Sequence, residues 1–135
     1  MENRFMDLAL LIVRIAVGVI FVAHGLQKTF GLFGGPGIEG VTSMVSGMGF
    51  QHPVVWAWVL SLTELISGIM LIFGIFPRLS ALLIAIIMGV AIYKVHGPKG
   101  FFAMQGGFEY PFLILASSIA LALAGAGKFS LFNRL

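Results

Sequence analysis

Two ionisable residues interrupt otherwise apolar runs. Arg14 falls within the run that begins at Leu8, and Glu64 within the run that begins at Val54. A charge inside a membrane-spanning helix costs roughly 2.5–3.5 kcal/mol by insertion scales, so such a residue normally faces the bundle interior and has a partner. At 1.5 Å per residue, Arg14 lies about 10 Å in from one side and Glu64 about 15 Å in from the other. A level difference of roughly 5 Å is within reach of an arginine side chain, which predicts an Arg14–Glu64 ion pair. Ser61, Ser67 and Gly68 share the Glu64 face of their helix at three- and four-residue spacings. Those small groups suit hydrogen bonding to the pair and close helix approach. A pair of this kind either fixes helix register alone or also lines a site.

A second polar set gathers where the apolar runs end. His24 and Lys28 close the first run, Tyr93, Lys94 and His96 close the third, Glu109 and Tyr110 open the fourth, and His52 precedes the second. At about 100° per residue, Arg14, Gly18, Phe21, Gly25 and Lys28 fall within about 40° of one line. His24 sits at the margin of that stripe, and Gly89, Tyr93 and His96 form a similar one. Interfacial polarity accounts for any one of these residues. As a set they predict a pocket with eight candidate ligand-binding residues: Arg14, Glu64, His24, Lys28, Tyr93, His96, Glu109 and Tyr110. Histidine titrates near neutral pH and serves as proton shuttle or hydrogen-bond donor. Lys, His and Tyr around a shallow apolar pocket suit the carbonyl oxygens of a quinone, and suit other amphipathic ligands equally. Quinone is therefore one candidate ligand among several, and no catalytic residue is assigned.

Metal chemistry is not expected. His24, His96 and Glu109 are suitable ligand types, but no His-x-x-His, His-x-x-x-His or Glu-x-x-His pair lies on one helix. A haem between His24 and His96 is disfavoured because both fall on the same predicted side. The glycine-rich stretch Gly31 to Gly37 follows no strand, so it does not read as a phosphate loop. The chain lacks cysteine, which excludes disulfides, thiolate nucleophiles and cysteine-held clusters.

The elements that position these residues follow from composition. Of 135 residues, 59% are apolar and only 10% are charged, against about 25% charged in soluble domains. Lipid is the solvent that suits such a chain. The formal charge is +3, but the eight basic residues are scattered. No basic stripe exists to bind nucleic acid. About 20 apolar residues are needed to cross the hydrocarbon layer, and four stretches qualify: 8–27, 54–75, 79–95 and 110–125. The fold expected is an all-α membrane protein, a four-transmembrane-helix bundle forming a single domain over 1–135. Glu2, Asp7 and Arg14 argue that the first run is a retained helix rather than a signal peptide. Pro53, Pro77, Pro98 and Pro111 lie near span ends, where helices tolerate proline. Gly74 to Arg78 forms a tight turn, so the second and third spans form a hairpin. In the first connection Val41, Met44, Val45 and Met48 repeat at i, i+3, i+4, i+7, which predicts a short interfacial helix over about 38–49. Arg4, Arg78, Lys128 and Arg134 on the terminal side outnumber Lys28, Lys94 and Lys99 opposite, which favours cytoplasmic termini.

The polar residues and their spacing resemble the DoxX family of small bacterial membrane proteins. The likeness lies in Arg14-x3-Gly18-x2-Phe21-x2-His24-Gly25-x2-Lys28 with Phe30 to Gly37, in Glu64-x3-Gly68-x2-Leu71 with Gly74 and Arg78, and in His96-Gly97, Gly100-Phe101-Phe102 and Gly107-x-Glu109-Tyr110. The resemblance implies a four-helix bundle in the bacterial inner membrane and a loose link to redox chemistry. The family takes its name from a subunit associated with an archaeal thiosulfate:quinone oxidoreductase, and other members are linked to oxidative-stress or thiol-handling enzymes. Without cysteine, any thiol chemistry would belong to a partner.

Three functions follow as expectations. The first is a membrane subunit or accessory of a redox system, quinone-linked or concerned with oxidative stress, binding an apolar ligand inside the bundle. The second is a non-enzymatic scaffold or assembly factor, and the third a small transporter. The partners expected are the lipid bilayer, a soluble or membrane redox protein, and further copies of the chain.

Overall fold

The computed structural model describes residues 3–133, so Glu2 and Arg134 lie outside the described residues. Five α-helices account for most of the chain: α1 Arg4–Phe30, α2 Gly37–Gly47, α3 Pro53–Phe73, α4 Pro77–Ala91 and α5 Glu109–Ala124. Asn3 caps α1 by accepting from the Met6 amide at 3.2 Å, and Gly31 ends it in the left-handed region at φ 70°. Pro53 and Pro77 open α3 and α4, where the missing N–H costs nothing. A π turn, Ile92–His96, carries α4 onward into the last connection.

Among the described residues, three helices are long and apolar enough to cross a membrane: Arg4–Phe30, Pro53–Phe73 and Pro77–Lys99. The outer surface suits that reading. Ile12, Val19, Ile66, Leu82, Leu113 and Leu123 are all exposed, a distribution that water would penalise. The fourth expected span corresponds to α5, which is apolar but has 16 residues. At 1.5 Å per residue it measures about 24 Å, short of the roughly 30 Å hydrocarbon layer.

α1 and α3 pack antiparallel at very short range. A Cβ placed on Gly18 would lie 2.9 Å from the Gly68 carbonyl oxygen, and one on Gly25 would lie 2.6 Å from the Leu65 Cα. Glycine is what allows the two backbones to approach. α2 lies in the first connection and buries Val41 and Val45 against Ala57 of α3, with Phe50 and Leu60 beside them. The stripe read from the sequence is therefore divided, because Met44 is exposed at 41%.

A larger core joins all four long elements on the terminal half. It holds Val17 and Phe21 of α1, Leu71 of α3, Ala81 and Ile84 of α4, and Ile114 and Leu121 of α5. The segment after α5 is bound to this end. Leu131 and Phe132 amides donate to the Phe73 and Gly74 carbonyls at 3.1 and 3.0 Å. The Phe132 ring meets Phe76 edge-on with centroids 4.9 Å apart. Arg78 Nη1 donates to the carbonyls of Ala122 and Leu123, closing the C-terminus of α5.

Candidate functional site

The close passage of α1 over α3 fixes which charges meet. Lys28 lies in the last turn of α1. Its Nζ lies 2.6 Å from Glu64 Oε1. Glu64 is 1% exposed, and the lysine side chain 21%. The expected Arg14–Glu64 pair does not form. Gly18 packing on Gly68 sets the register, and Arg14 then lies beside Gly74, where an added Cβ would be 3.3 Å from its Cζ. Gly74 is ten residues from Glu64, about 15 Å along a helix. Depths counted from the apolar boundaries missed this because α1 projects beyond the end of α3. Arg14 instead donates to the carbonyls of Ala126 at 2.8 Å and Phe129 at 2.5 Å. It is fully buried and serves as an anchor for the C-terminal segment.

Beside the large core, residues of all five helices and of the α4–α5 connection line a cavity of about 830 Å³. Its polar lining includes His24, Lys28, Thr63, Glu64, His96 and Tyr110. The remaining wall is apolar, with Phe21, Met44, Phe50, Leu60, Ile87 and Ile114 among its residues. Such a container, apolar with a few placed polar groups, has the character of a small-molecule site. Trp56 and Val59 of α3 and Ile86 and Val90 of α4 line the cavity and are also 45–56% exposed. Met44 of α2 and Tyr110 of α5, 41 and 44% exposed, also line it, so the cavity reaches the outer face along several helices.

The connection between α4 and α5 closes part of the cavity. Its turns contribute Ala103, Gly106 and Gly107 to the lining. A Cβ on Gly107 would meet the Gly100 carbonyl oxygen at 2.5 Å, so the loop folds tightly on itself. His96 Nδ1 lies 2.8 Å from the Gly106 carbonyl oxygen. A carbonyl only accepts, so Nδ1 carries the proton and, in the neutral ring, Nε2 is an acceptor.

Five of the eight candidates thus line one cavity: Glu64, Lys28, His24, His96 and Tyr110. Three do not. Arg14 binds the C-terminal segment. Glu109 Oε1 accepts from the Ala103 amide at 2.9 Å and braces the loop. Tyr93 points outward at 79% exposure, 5.8 Å from Lys94 Nζ. Thr63 was not anticipated, although its position next to Glu64 could have suggested it. Among the described residues no three His, Asp or Glu side chains gather as a metal would require.

Two buried polar atoms near the ion pair lack partners among the described residues, Glu64 Oε2 and Ser61 Oγ. A buried acceptor without a donor is costly, and Glu64 is also one of the residues lining the cavity.

Comparison with known proteins places this arrangement. The family model for DoxX matches residues 9–97, which include most of α1, all of α2 to α4 and both members of the ion pair. "Putative oxidoreductase CatD" of Bacillus subtilis is 32% identical over 92% of this chain and 84% of its own length. An uncharacterized protein of Haemophilus influenzae is 30% identical over 98% of this chain and 94% of its own length. "Inner membrane protein YphA" of Escherichia coli is 28% identical over 93% and 89%. No solved structure matches the chain. The chain belongs to the DoxX family of membrane proteins.

Proposed function

We propose that this protein is the ligand-binding membrane subunit or accessory of a redox system. It takes an apolar, single-headed molecule from the bilayer and holds the head group at Lys28 and Glu64. The observation that carries this reading is a buried ion pair on the wall of an otherwise apolar cavity of about 830 Å³. An ion pair that only fixed helix register would need no cavity beside it. Exposed apolar residues such as Trp56, Val59, Ile86 and Val90 line the cavity, so the ligand would arrive from lipid rather than water. A quinone fits in size and polarity, and CatD's printed name points toward redox chemistry. His24 and His96 could exchange protons with the head group. We propose that a second protein serves as the electron partner.

The same reading puts the chain in the inner membrane, as the name of the E. coli relative suggests, with α5 as a fourth and shorter crossing. A short span is accommodated by local thinning of the bilayer. α2 would lie at the outer interface and the termini in the cytoplasm, as the lysine and arginine distribution favours.

The test is to purify the protein from membranes in mild detergent and identify co-extracted small molecules by mass spectrometry. The expected result is near-stoichiometric recovery of one amphiphile class with the parent and its loss with a folded Lys28→Met/Glu64→Leu double variant. Recovery of bulk lipid alone, with no saturable binding of added menaquinone or ubiquinone, would contradict the proposal.

A further inference from the structure

We infer that Glu64 makes the cavity selective for head groups that carry a hydroxyl donor over head groups that carry only acceptors. This rests on the ligand-binding reading above and names the chemical class that the site prefers.

The two carboxylate oxygens of Glu64 differ in their surroundings. Oε1 receives the Lys28 ammonium at 2.6 Å. Oε2 is buried and has no donor among the described residues. Ser61, three residues earlier on α3, does not supply one, because its own Oγ is equally without a partner. An ionised carboxylate only accepts, whereas an ammonium has three hydrogens to give. Lys28 therefore has donors to spare, and Glu64 has an acceptor to fill. Glu64 is one of the residues lining the cavity and its Oε2 is buried, so a small turn of the carboxylate toward a bound head group supplies the missing hydrogen bond.

A hydroxyl satisfies both sides. It donates to Oε2, and its lone pairs accept from Lys28. A ketone, ether or ester oxygen accepts from Lys28 but leaves Oε2 unfilled. A site that hydrogen-bonds a substrate hydroxyl rejects analogues lacking it by large factors, because its own buried group is then stranded. The expected preference here is at least tenfold. For a quinone and quinol pair, the hydroxyl-bearing member is the reduced one. Tenfold tighter binding of that form raises the potential of the bound two-electron couple by about 30 mV. The site would thus hold the quinol and release the quinone.

The test uses two air-stable probes with the same brominated dodecyl tail, one a phenol and the other its methyl ether. In a Trp58→Phe background Trp56 is the remaining tryptophan, and bromine quenching of it reports occupancy in lipid nanodiscs. Each titration is corrected for partition into the bilayer. The phenol should saturate at a concentration at least tenfold below the ether. In Glu64→Gln the amide oxygen can stay with Lys28 and the amide nitrogen becomes a donor toward the ligand, so the ratio should fall to within about twofold of one. Ser61→Ala, which leaves the carboxylate in place, should retain the parent ratio. Equal saturable binding of both probes by the parent would overturn the selectivity and leave the ligand-binding reading standing. So would an unchanged ratio in folded Glu64→Gln. Saturation by neither probe would overturn both. If Glu64→Gln does not fold, the parent ratio with the Ser61→Ala control decides the matter.

Discussion

At the scale of single residues, the account turns on which cation Glu64 holds. Lys28 takes it because the lysine reaches down from the end of α1 to a carboxylate in the middle of α3. Removing one partner of a buried pair strands the other at a cost of about 3–5 kcal/mol. Glu64→Leu should therefore melt well below the parent in detergent, and the Lys28→Met/Glu64→Leu double variant should recover most of the loss. Arg14→Leu should also destabilise, by about 3 kcal/mol, through the loss of two charge-assisted bonds to carbonyls. That loss should add independently to Glu64→Leu, because the sites are far apart. Thermal melts of the single and double variants would measure these couplings. Strong coupling between Arg14 and Glu64, and none between Lys28 and Glu64, would reverse the assignment. The sequence marked Arg14 and Glu64 as residues that lipid would not tolerate unpartnered, pointed to a pair between them, and placed Lys28 in a separate cluster at the span ends. That pair does not form, because pairing depends on helix register, and register is set by contacts between glycines on different helices.

Helices form the next scale, and here the sequence was more legible. Apolar runs, prolines at helix starts and the Gly74 turn lead to α1, α3, α4 and α5 within a few residues, and the spacing of Val41 and Val45 leads to α2. Three features were not readable. The C-terminal segment carries no periodic signal, yet Arg14 and the Ile75–Phe132 bridge fix it across the end of the bundle. The π turn at Ile92–His96 has no distinctive composition, yet it delivers His96 to the cavity. The third is the register of the α1–α3 contact: Gly18 and Gly25 share one stripe and Gly68 suits close approach, but neither helix names its partner residue. That contact supplies a test. Gly25→Leu would put a side chain where even a Cβ lies 2.6 Å from the Leu65 Cα, so the helices must separate. The substitution should cost more than the roughly 1–3 kcal/mol of ordinary overpacking and should abolish ligand retention together with the Lys28–Glu64 contact. Retained binding would show that this contact does not position the site.

At the scale of the whole molecule, one core joins α1, α3, α4 and α5, a second joins α2 to α3, and a cavity lined from all five helices opens beside them. The sequence placed polar groups near one end of the bundle but gave no sign of this opening, because Val59, Ile86 and Val90 look like any other lipid-facing residues. Their double role predicts that Ile86→Trp, which narrows the opening, slows ligand exchange by about tenfold, equivalent to about 1.4 kcal/mol on the barrier. Equilibrium stability should change little, and stopped-flow displacement would measure the rate.

The most direct test of the central claim, that the cavity beside Lys28 and Glu64 binds a lipid-borne amphiphile, is saturable quenching of Trp56 by a quinone. The measurement uses Trp58→Phe protein in nanodiscs, compared with the same protein carrying Leu60→Phe and Ile87→Phe to fill the cavity. The account predicts saturation near one quinone per chain, lost when the cavity is filled. Quenching that rises linearly with quinone in the membrane, and is the same in both proteins, would contradict it.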